Sequence, residues 1–136
     1  MSSASDGRNR GKMILVGTDR SQILERRFKA AGYEVLTVRD SMTAIEHARR
    51  EIWDTAVLVS TGRPVNIAEA VFNLRDLNRS MEIIILINRL GERSSRLLRP
   101  LLDHPIGRTG VMTRRQLQRE LSAMQQTNAV HLAKMI

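Results

Sequence analysis

The chain contains no cysteine, and only 3% of its 136 residues are aromatic. The lack of cysteine excludes disulfides and thiolate metal sites, and it is compatible with a reducing cytoplasm. The scarcity of aromatic residues leaves the core to be built mainly from Val, Ile, Leu, Ala and Met. No apolar run approaches the roughly 20 residues that a membrane span needs. We therefore expect one small cytoplasmic domain that does not associate with a membrane.

Acidic residues are also scarce, because 14 of them face 22 basic residues and leave a formal net charge of +8. Nearly all of the basic residues are arginine. An acidic partner, either a protein surface or a nucleic acid, is therefore electrostatically plausible. Guanidinium groups suit bidentate contacts to carboxylate or phosphate. A GC-rich genome would enrich arginine as well, without any structural reason.

Short apolar runs alternate with stretches in which apolar residues recur at helical spacing. This alternation predicts five strand and helix pairs in a doubly wound parallel α/β sheet. The predicted strands are residues 12–16, 33–38, 53–59, 83–87 and 106–109, the last with residue 112 as its far limit.

Polar and proline residues mark where several of the predicted helices begin or end. Asp40 is a predicted N-cap of the second helix, and Pro100 should bend or end the fourth. Thr113 is predicted to cap a final helix that carries Leu117 and Leu121 on its apolar face. The helices can therefore cover both faces of the sheet.

The composition divides the chain into three parts. Residues 1–11 are small and polar and are expected to form a flexible lead, and residues 12–124 form the domain. Residues 125–136 either extend the last helix or form a tail, which could pack on the domain, join a dimer or lead to a further segment. Its apolar residues are Val130, Leu132, Met135 and Ile136.

Four local features occur in an order that is typical of one known family. They are Met13-Ile14-Leu15-Val16, Ala30-Ala31-Gly32-Tyr33-Glu34-Val35, Asp54-Thr55-Ala56-Val57-Leu58-Val59, and Pro64 at four residues after Ser60. Over residues 12–124 the chain therefore resembles the receiver domain of bacterial two-component response regulators. The resemblance implies a flavodoxin-like, three-layer sandwich with strand order 2-1-3-4-5.

The resemblance also implies an activity, which is transfer of a phosphoryl group from a partner histidine kinase to an aspartate, assisted by Mg²⁺. At the implied acceptor position this chain has Ser60. A hydroxyl cannot form the mixed anhydride of an aspartyl phosphate, and it adds no negative charge for Mg²⁺. Asp54 is six residues earlier, about 20 Å away along a strand. Aspartyl phosphorylation at this position is therefore not expected.

Three further positions depart from the pattern that the resemblance implies. Asp19 is the one carboxylate directly after the first strand, and it is more simply explained as a helix N-cap. The switch hydroxyl would fall at Ile87, which has none. The lysine after the fifth strand would fall near Gly110, with Arg108 as the nearest basic residue. These departures predict a degenerate receiver, or pseudo-receiver, that is not an enzyme and holds no metal or cofactor.

In an open parallel sheet the carboxyl ends of the first and third strands meet at the topological switch point. The crevice there should be neutral to basic, because two arginines flank it. It could accept an anion, or it could be a solvated group of loops that binds nothing. The residues predicted to meet there are Thr18, Asp19, Arg20, Ser60, Thr61, Gly62 and Arg63.

Arginines concentrate around the predicted fourth helix, fifth strand and fifth helix. In receivers this face is commonly used for dimers and output partners, so the resemblance makes it the first candidate for a contact with another signalling protein or a second copy. A solvated helix face is the alternative. The candidate residues are Arg89, Arg93, Arg96, Arg99, Arg108, Arg114 and Arg115.

These observations favour a receiver-like signalling module that acts by protein contact without aspartyl phosphorylation. One alternative is a conventional phosphorelay receiver with a relocated acceptor. Another is a basic regulator that binds nucleic acid, which the lack of base-reading helices and stacking aromatics disfavours. A binder of small phosphate ligands at the switch point is a third. His47, His104 and His131 are dispersed without metal-binding spacing.

Overall fold

A computed structural model of the chain describes residues 11–17, 22–59, 64–87 and 108–123, with side chains from residue 67 onward in the third range. The described strands and helices alternate along the chain. They are β1 (Gly11–Val16), α1 (Gln22–Ala30), β2 (Tyr33–Val38), α2 (Ser41–Arg50), β3 (Thr55–Val59), α3 (Pro64–Leu77), β4 (Glu82–Ile87) and β5 (Thr109–Thr113). Residues 114–123 are helical and are called the C-terminal helix below.

The five strands form one parallel sheet in the order β2-β1-β3-β4-β5. This is the predicted doubly wound topology, and the predicted strand order 2-1-3-4-5 is confirmed. β3 lies in the middle of the sheet and is buried along its whole length, as expected when helices cover both faces.

Successive side chains of a strand point to opposite faces, so the apolar runs supply two separate cores. On one face, Ile14 and Val16 pack with residues of α2 and α3, including Ala44 and Leu74. On the other face, Met13, Leu15, Val57 and Leu86 pack with residues of α1 and the C-terminal helix, among them Phe28, Leu117 and Leu121. The result is the three-layer sandwich that the sequence predicts.

Two helix caps predicted from the sequence are confirmed. Asp40 is the N-cap of α2, and its carboxylate accepts a hydrogen bond of 2.8 Å from the backbone N–H of Thr43. At the C-terminal helix, Thr113 Oγ1 accepts from the N–H of Gln116, and Gln116 Oε1 accepts from the N–H of Thr113. This reciprocal pair is a capping box, which satisfies two backbone donors at once.

The prediction for the fifth strand was wrong in its position. The sequence predicts residues 106–109 with residue 112 as the far limit, whereas β5 spans Thr109–Thr113 and pairs Ile83 with Thr109 and Ile87 with Thr113. Gly110 weakens the local strand signal, because glycine has no side chain to pack. Pairing with the strongly apolar β4 decides the position instead.

The other boundaries differ less from the predictions. Gly11, predicted as the end of the lead, is the first residue of β1, and β3 begins at Thr55 rather than at Trp53. The predicted fourth helix, the rest of the lead and residues 125–136 lie outside the described residues. Among the described helices, none is long and apolar enough to cross a membrane.

Candidate functional site at the carboxyl edge of the sheet

Four neighbouring strands bring their last residues to one edge of the sheet, called the carboxyl edge below. The register pairs Val16 with Leu58, Val59 with Leu86, and Ile87 with Thr113. Val16, Val59 and Ile87 are all buried. β1, β3 and β4 therefore remain apolar up to their ends, whereas β5 ends in Thr113. Polar chemistry at this edge then depends on Thr113 and on the residues that follow the strands.

Two of the predicted site residues follow these strands directly in the sequence but lie outside the described part of the chain. Ser60 comes next after Val59, the last residue of β3, and Asp19 comes three residues after Val16, the last of β1. The other predicted crevice residues, 18, 20 and 61–63, also lie outside the described ranges. At the edge itself, Gly17 donates a backbone hydrogen bond of 3.1 Å to the carbonyl of Val38.

Ile87 ends β4, where the resemblance implies a switch hydroxyl. Its side chain is only 1% exposed and belongs to the core cluster shared with α2 and α3. An alkyl side chain has no donor or acceptor for a phosphoryl oxygen. The side chain at this position therefore serves packing.

Gly110 does not follow the fifth strand, so the predicted lysine position was misplaced. Gly110 is the second residue of β5 and pairs with Ile84, well before the carboxyl edge. The strand ends at Thr113, whose hydroxyl accepts the cap hydrogen bond of 3.1 Å from Gln116. The strand and the helix thus join through one residue. The cap itself was predicted, and the sequence pattern Thr-x-x-Gln was the signal that could have fixed the end of β5 at Thr113.

Arg108, the predicted basic substitute, lies at the opposite end of β5. Its guanidinium donates to Glu82 Oε2 at 3.1 Å, and its carbonyl accepts from the N–H of Ile83 at 2.8 Å. Its distance from Thr113 along the strand is about 17 Å at the usual rise. It therefore cannot supply a positive charge at the carboxyl edge.

Asp40 is the carboxylate that the described residues place just after β2. It accepts from the backbone N–H and from the hydroxyl of Thr43, both at 2.8 Å. The backbone hydrogen bond from Thr43, followed by the hydroxyl bond, lowers the pKa of Asp40 below its ordinary value of 3.8. These bonds to the charged form hold the carboxylate at the start of α2. Within the described ranges, no three His, Cys, Asp or Glu side chains are grouped so that they could hold a metal ion.

The opposite edge, called the amino edge below, holds the acidic residue that precedes β3. Asp54 Oδ2 accepts a hydrogen bond of 2.8 Å from the backbone N–H of Lys12. The main chain of Asp54 also donates to the carbonyl of Lys12 and accepts from the N–H of Glu82, both at 2.9 Å. Asp54 therefore links three strands at their start, and it stands at the far end of β3 from Ser60, as the sequence predicts.

Lys12 connects Asp54 to a second set of side chains at the amino edge. Its ammonium group forms an ion pair with Glu51 and lies 4.5 Å from the ring centroid of Trp53. The hydrogen bond to Glu51 is the main cause that raises the pKa of Lys12. Trp53 in turn donates from Nε1 to the carbonyl of His47 at 3.2 Å. His47 also meets the Trp53 ring edge-on, which gives it a structural role.

Arg75 of α3 is the buried cation at this same edge, with 4% of its surface exposed. It donates to the carbonyls of Met81 and Arg79, and its Nη2 donates to Thr109 Oγ1 at 3.0 Å. Burial, followed by the charge of Arg108, lowers the pKa of Arg75. The guanidinium therefore ties α3 to the start of β4 and β5.

Only part of the predicted arginine surface lies within the described residues. Arg114 and Arg115 are exposed at the start of the C-terminal helix, beside the carboxyl edge. Arg108 is exposed at the amino edge, with its ion pair to Glu82. The remaining predicted residues, Arg89, Arg93, Arg96 and Arg99, lie outside the described ranges.

Comparison with known proteins yields matches in structure alone. No protein-family model matches the chain, and no curated protein does. The chain is similar to the receiver domain of a sensor histidine kinase from Pseudomonas aeruginosa PAO1, with 19% identity and a TM-score of 0.62 over 85% of this chain and 97% of that one. That domain holds a magnesium ion in its active site cleft.

Two further solved structures match over similar lengths. A chemotaxis protein from Vibrio cholerae has 19% identity and a TM-score of 0.62, over 83% of this chain and 97% of that one. A phosphorylated cyanobacterial phytochrome response regulator has 19% identity and a TM-score of 0.56, over 91% and 95%. This chain has the receiver fold. Identities this low show the fold alone and carry over no chemistry.

Proposed function

We propose that this chain is a receiver-like signalling module that acts by contact with another protein, or with a second copy, without aspartyl phosphorylation. One observation carries the proposal. β3 ends at Val59 on the carboxyl edge, and the next residue in the sequence is Ser60 rather than an aspartate. A serine hydroxyl offers neither the carboxylate that forms an acyl phosphate nor a charged ligand for Mg²⁺. We assign no enzymatic activity to the chain and locate it in the cytoplasm.

The described residues at the ends of the other strands support the same function. The Ile87 side chain is packed in the core, and the Thr113 hydroxyl caps the C-terminal helix. The Asp40 carboxylate is held by Thr43 at the start of α2. Among the described residues at these strand ends, the Ile87 side chain is therefore apolar, and the polar groups of Thr113 and Asp40 are already hydrogen-bonded.

Charge supports contact with an acidic partner. The chain carries a formal net charge of +8, and Arg114 and Arg115 are exposed at the start of the C-terminal helix. Exposed arginines favour a partner that offers carboxylates, because guanidinium groups bind these in a bidentate manner. We propose that the partner is another signalling protein or a second copy, which would contact the arginine-bearing face of β5 and the C-terminal helix together with the predicted fourth helix.

Phosphorylation can be tested directly on the intact chain. Incubation with acetyl phosphate and Mg²⁺ should leave the intact mass unchanged, and beryllofluoride with Mg²⁺ should not shift the amide resonances of Gly17, Val59 or Ile87. A phosphorylatable receiver treated in parallel serves as the positive control. A gain of one phosphoryl group that disappears in Asp19→Asn would contradict the proposal and establish a relocated acceptor.

The contact surface is tested by reversing charges in a matched pair of variants. Arg114→Glu with Arg115→Glu should weaken self-association in light scattering, or capture of the partner from the native host. Arg49→Glu with Arg50→Glu changes two adjacent exposed arginines of α2. This control should leave self-association and partner capture unchanged. Equal effects of the two double variants would argue against a defined surface. Binding of duplex DNA that weakens with salt and needs Arg114 and Arg115 would favour the nucleic-acid alternative.

A further inference from the structure

β2 is the last strand on its side of the sheet, and among the described strands none pairs with its outer side, which faces away from β1. Edge strands are commonly protected from pairing with other chains by a bulge, a proline or charged side chains, lysine especially. β2 contains no proline or lysine, and its register with β1 runs without a bulge from Tyr33 to Val38. Glu34 is its one charged residue. The strand therefore has few of the features that prevent pairing.

One hydrogen bond fixes which backbone groups of β2 point outward. The carbonyl of Val38 accepts from the N–H of Gly17 at 3.1 Å, so the main-chain groups of Val38 point toward β1. Successive residues of a strand direct these groups to opposite sides. Val35 and Thr37 therefore direct their N–H and C=O groups outward, and these groups have no hydrogen-bond partner among the described residues. Tyr33, two residues before Val35, has the same orientation.

The outward residues are arranged symmetrically about Val35. In an antiparallel pair of strands, outward-facing residues that stand directly opposite exchange both hydrogen bonds. A second copy related by a two-fold axis at Val35 would set Val35 against the partner's Val35 and Thr37 against the partner's Tyr33. A shift by two residues would leave one outward residue of each strand beyond the end of the other. The outer side of β2 is therefore complementary to itself in one register.

The side chains are compatible with this register. Glu34 would stand opposite the partner's Leu36, so no like charges are directly opposed. Glu34 also lies beside Lys12 in the pairing of β2 with β1, which places an opposite charge next to it. On the other face, Tyr33 would meet the partner's Thr37, and pairs of an aromatic and a β-branched residue stabilise sheets.

We propose that a second copy of this chain pairs along the outer side of β2, antiparallel and centred on Val35, so that the two sheets become one. The match of the strand to itself favours a second copy over a segment of another protein. The inference does not depend on the proposed function, whose contact face includes β5 at the other end of the sheet.

Charged substitutions at the centre of the pair test the register. Val35→Lys should raise the dissociation constant of the dimer about fivefold or more, because two ammonium groups would face each other directly. Val35→Glu should weaken self-association in the same way, and an equal mixture of the two variants should restore the dimer. Sedimentation velocity over a range of concentrations measures each, and amide resonances that stay dispersed as in the wild type show that the variants are folded.

Thr37→Lys is the matched control, because it adds the same charge to the same face of β2 but stands opposite the partner's Tyr33. It should leave the dissociation constant within about twofold of the wild-type value. A wild-type chain that stays monomeric at every concentration would overturn the proposal. Self-association that Val35→Lys and Thr37→Lys weaken equally, or not at all, would also overturn it and would leave the proposed function intact.

The absence of cysteine permits an independent test on the full chain. Val35→Cys would place two thiols on residues whose Cα atoms are about 5.5 Å apart in such a pair, which is within the range of a disulfide. Mild oxidation should therefore give a covalent dimer. Thr37→Cys would place the two thiols more than about 13 Å apart and should give little. Equal cross-linking of the two variants would contradict the register.

Discussion

The two edges of the sheet differ in how their polar groups are used. At the amino edge, Lys12, Asp54 and Arg75 join strands and helices through hydrogen bonds and ion pairs. At the carboxyl edge, the described strands end in buried valine and isoleucine, and Thr113 is used as a helix cap. The charged groups of the amino edge therefore maintain the fold, whereas the described carboxyl edge presents no comparable network.

This difference shows that the role of a carboxylate in a parallel sheet depends on the edge of the sheet at which it lies. Asp54 precedes β3 and Ser60 follows it, so the two residues are separated by the full length of the strand. The bonds of Asp54 to Lys12 already explain its presence. An acidic residue next to a central strand thus indicates function only at the edge where ligands bind.

The largest effect is expected from removing the central aromatic side chain of the amino edge. Trp53 is 4% exposed, so Trp53→Ala should lower the free energy of unfolding by about 3–5 kcal/mol. Its neighbour Ile52 is 80% exposed, and Ile52→Ala should change that free energy by less than about 0.5 kcal/mol. Urea denaturation of both variants measures the difference. Similar losses in the two would mean that the amino edge is not the structural anchor.

Alanine substitutions at two glycines, Gly11 and Gly110, should change stability in opposite directions. Gly11 has a φ of +113°, and an added methyl group would lie 2.5 Å from Asp54 Oδ2, so Gly11→Ala should destabilise the fold by about 1–3 kcal/mol. Among the described residues, no atom lies within 4 Å of a methyl group added at Gly110, so Gly110→Ala should stabilise the strand by about 0.5–1 kcal/mol. Thermal and urea unfolding should show opposite signs. The same sign in both variants would contradict this account of the two positions.

A smaller effect is expected at the carboxyl edge from the capping box. Thr113→Ala removes the hydroxyl that accepts from Gln116 and should cost about 1 kcal/mol of stability. Thr113→Ser retains the hydroxyl and should remain near the wild-type value. Circular dichroism during urea unfolding checks both. If serine and alanine were equally destabilising, the methyl group rather than the cap would be responsible.

The smallest effect is the pH dependence of Asp40. Its pKa is lower in the folded chain than its ordinary value of 3.8, so it contributes stability above that pH and loses the contribution as the pH falls through the folded-state pKa. Asp40→Asn keeps a capping side chain without the charge. Its melting temperature should therefore be lower than that of the wild type at neutral pH and should approach it below pH 3.8. A constant difference across this range would exclude the charge as the cause.

Much of the fold could be predicted because its signals are local. The buried runs of β1, β3 and β4 and the caps at Asp40 and Thr113 can be recognised from neighbouring residues alone. β5 could not be placed correctly, since Gly110 weakens its pattern and pairing with β4 decides its register. That misplacement moved the predicted lysine position by three residues relative to Thr113, the observed end of the strand.

The candidate site was predictable to the extent that it depends on which residue follows each strand. Ser60 after β3 and Ile87 at the end of β4 follow from the ends of two apolar runs. A cavity of about 500 Å³ beside Gly110 could not be predicted, because it requires α1, β4, β5 and the C-terminal helix to be positioned together. No periodicity in the sequence reports such an arrangement.

The sequence by itself determined the alternation of strands and helices, the burial of β3 on both faces and the absence of a carboxylate directly after it. These properties depend on residues that are adjacent or a few positions apart. Only the tertiary structure decided that Asp54 binds Lys12, that Arg75 reaches Thr109 and that Gly110 lines a cavity. The physical reason is that strand register brings together groups 30 to 40 or more residues apart in the chain, as with Lys12 and Asp54 at 42.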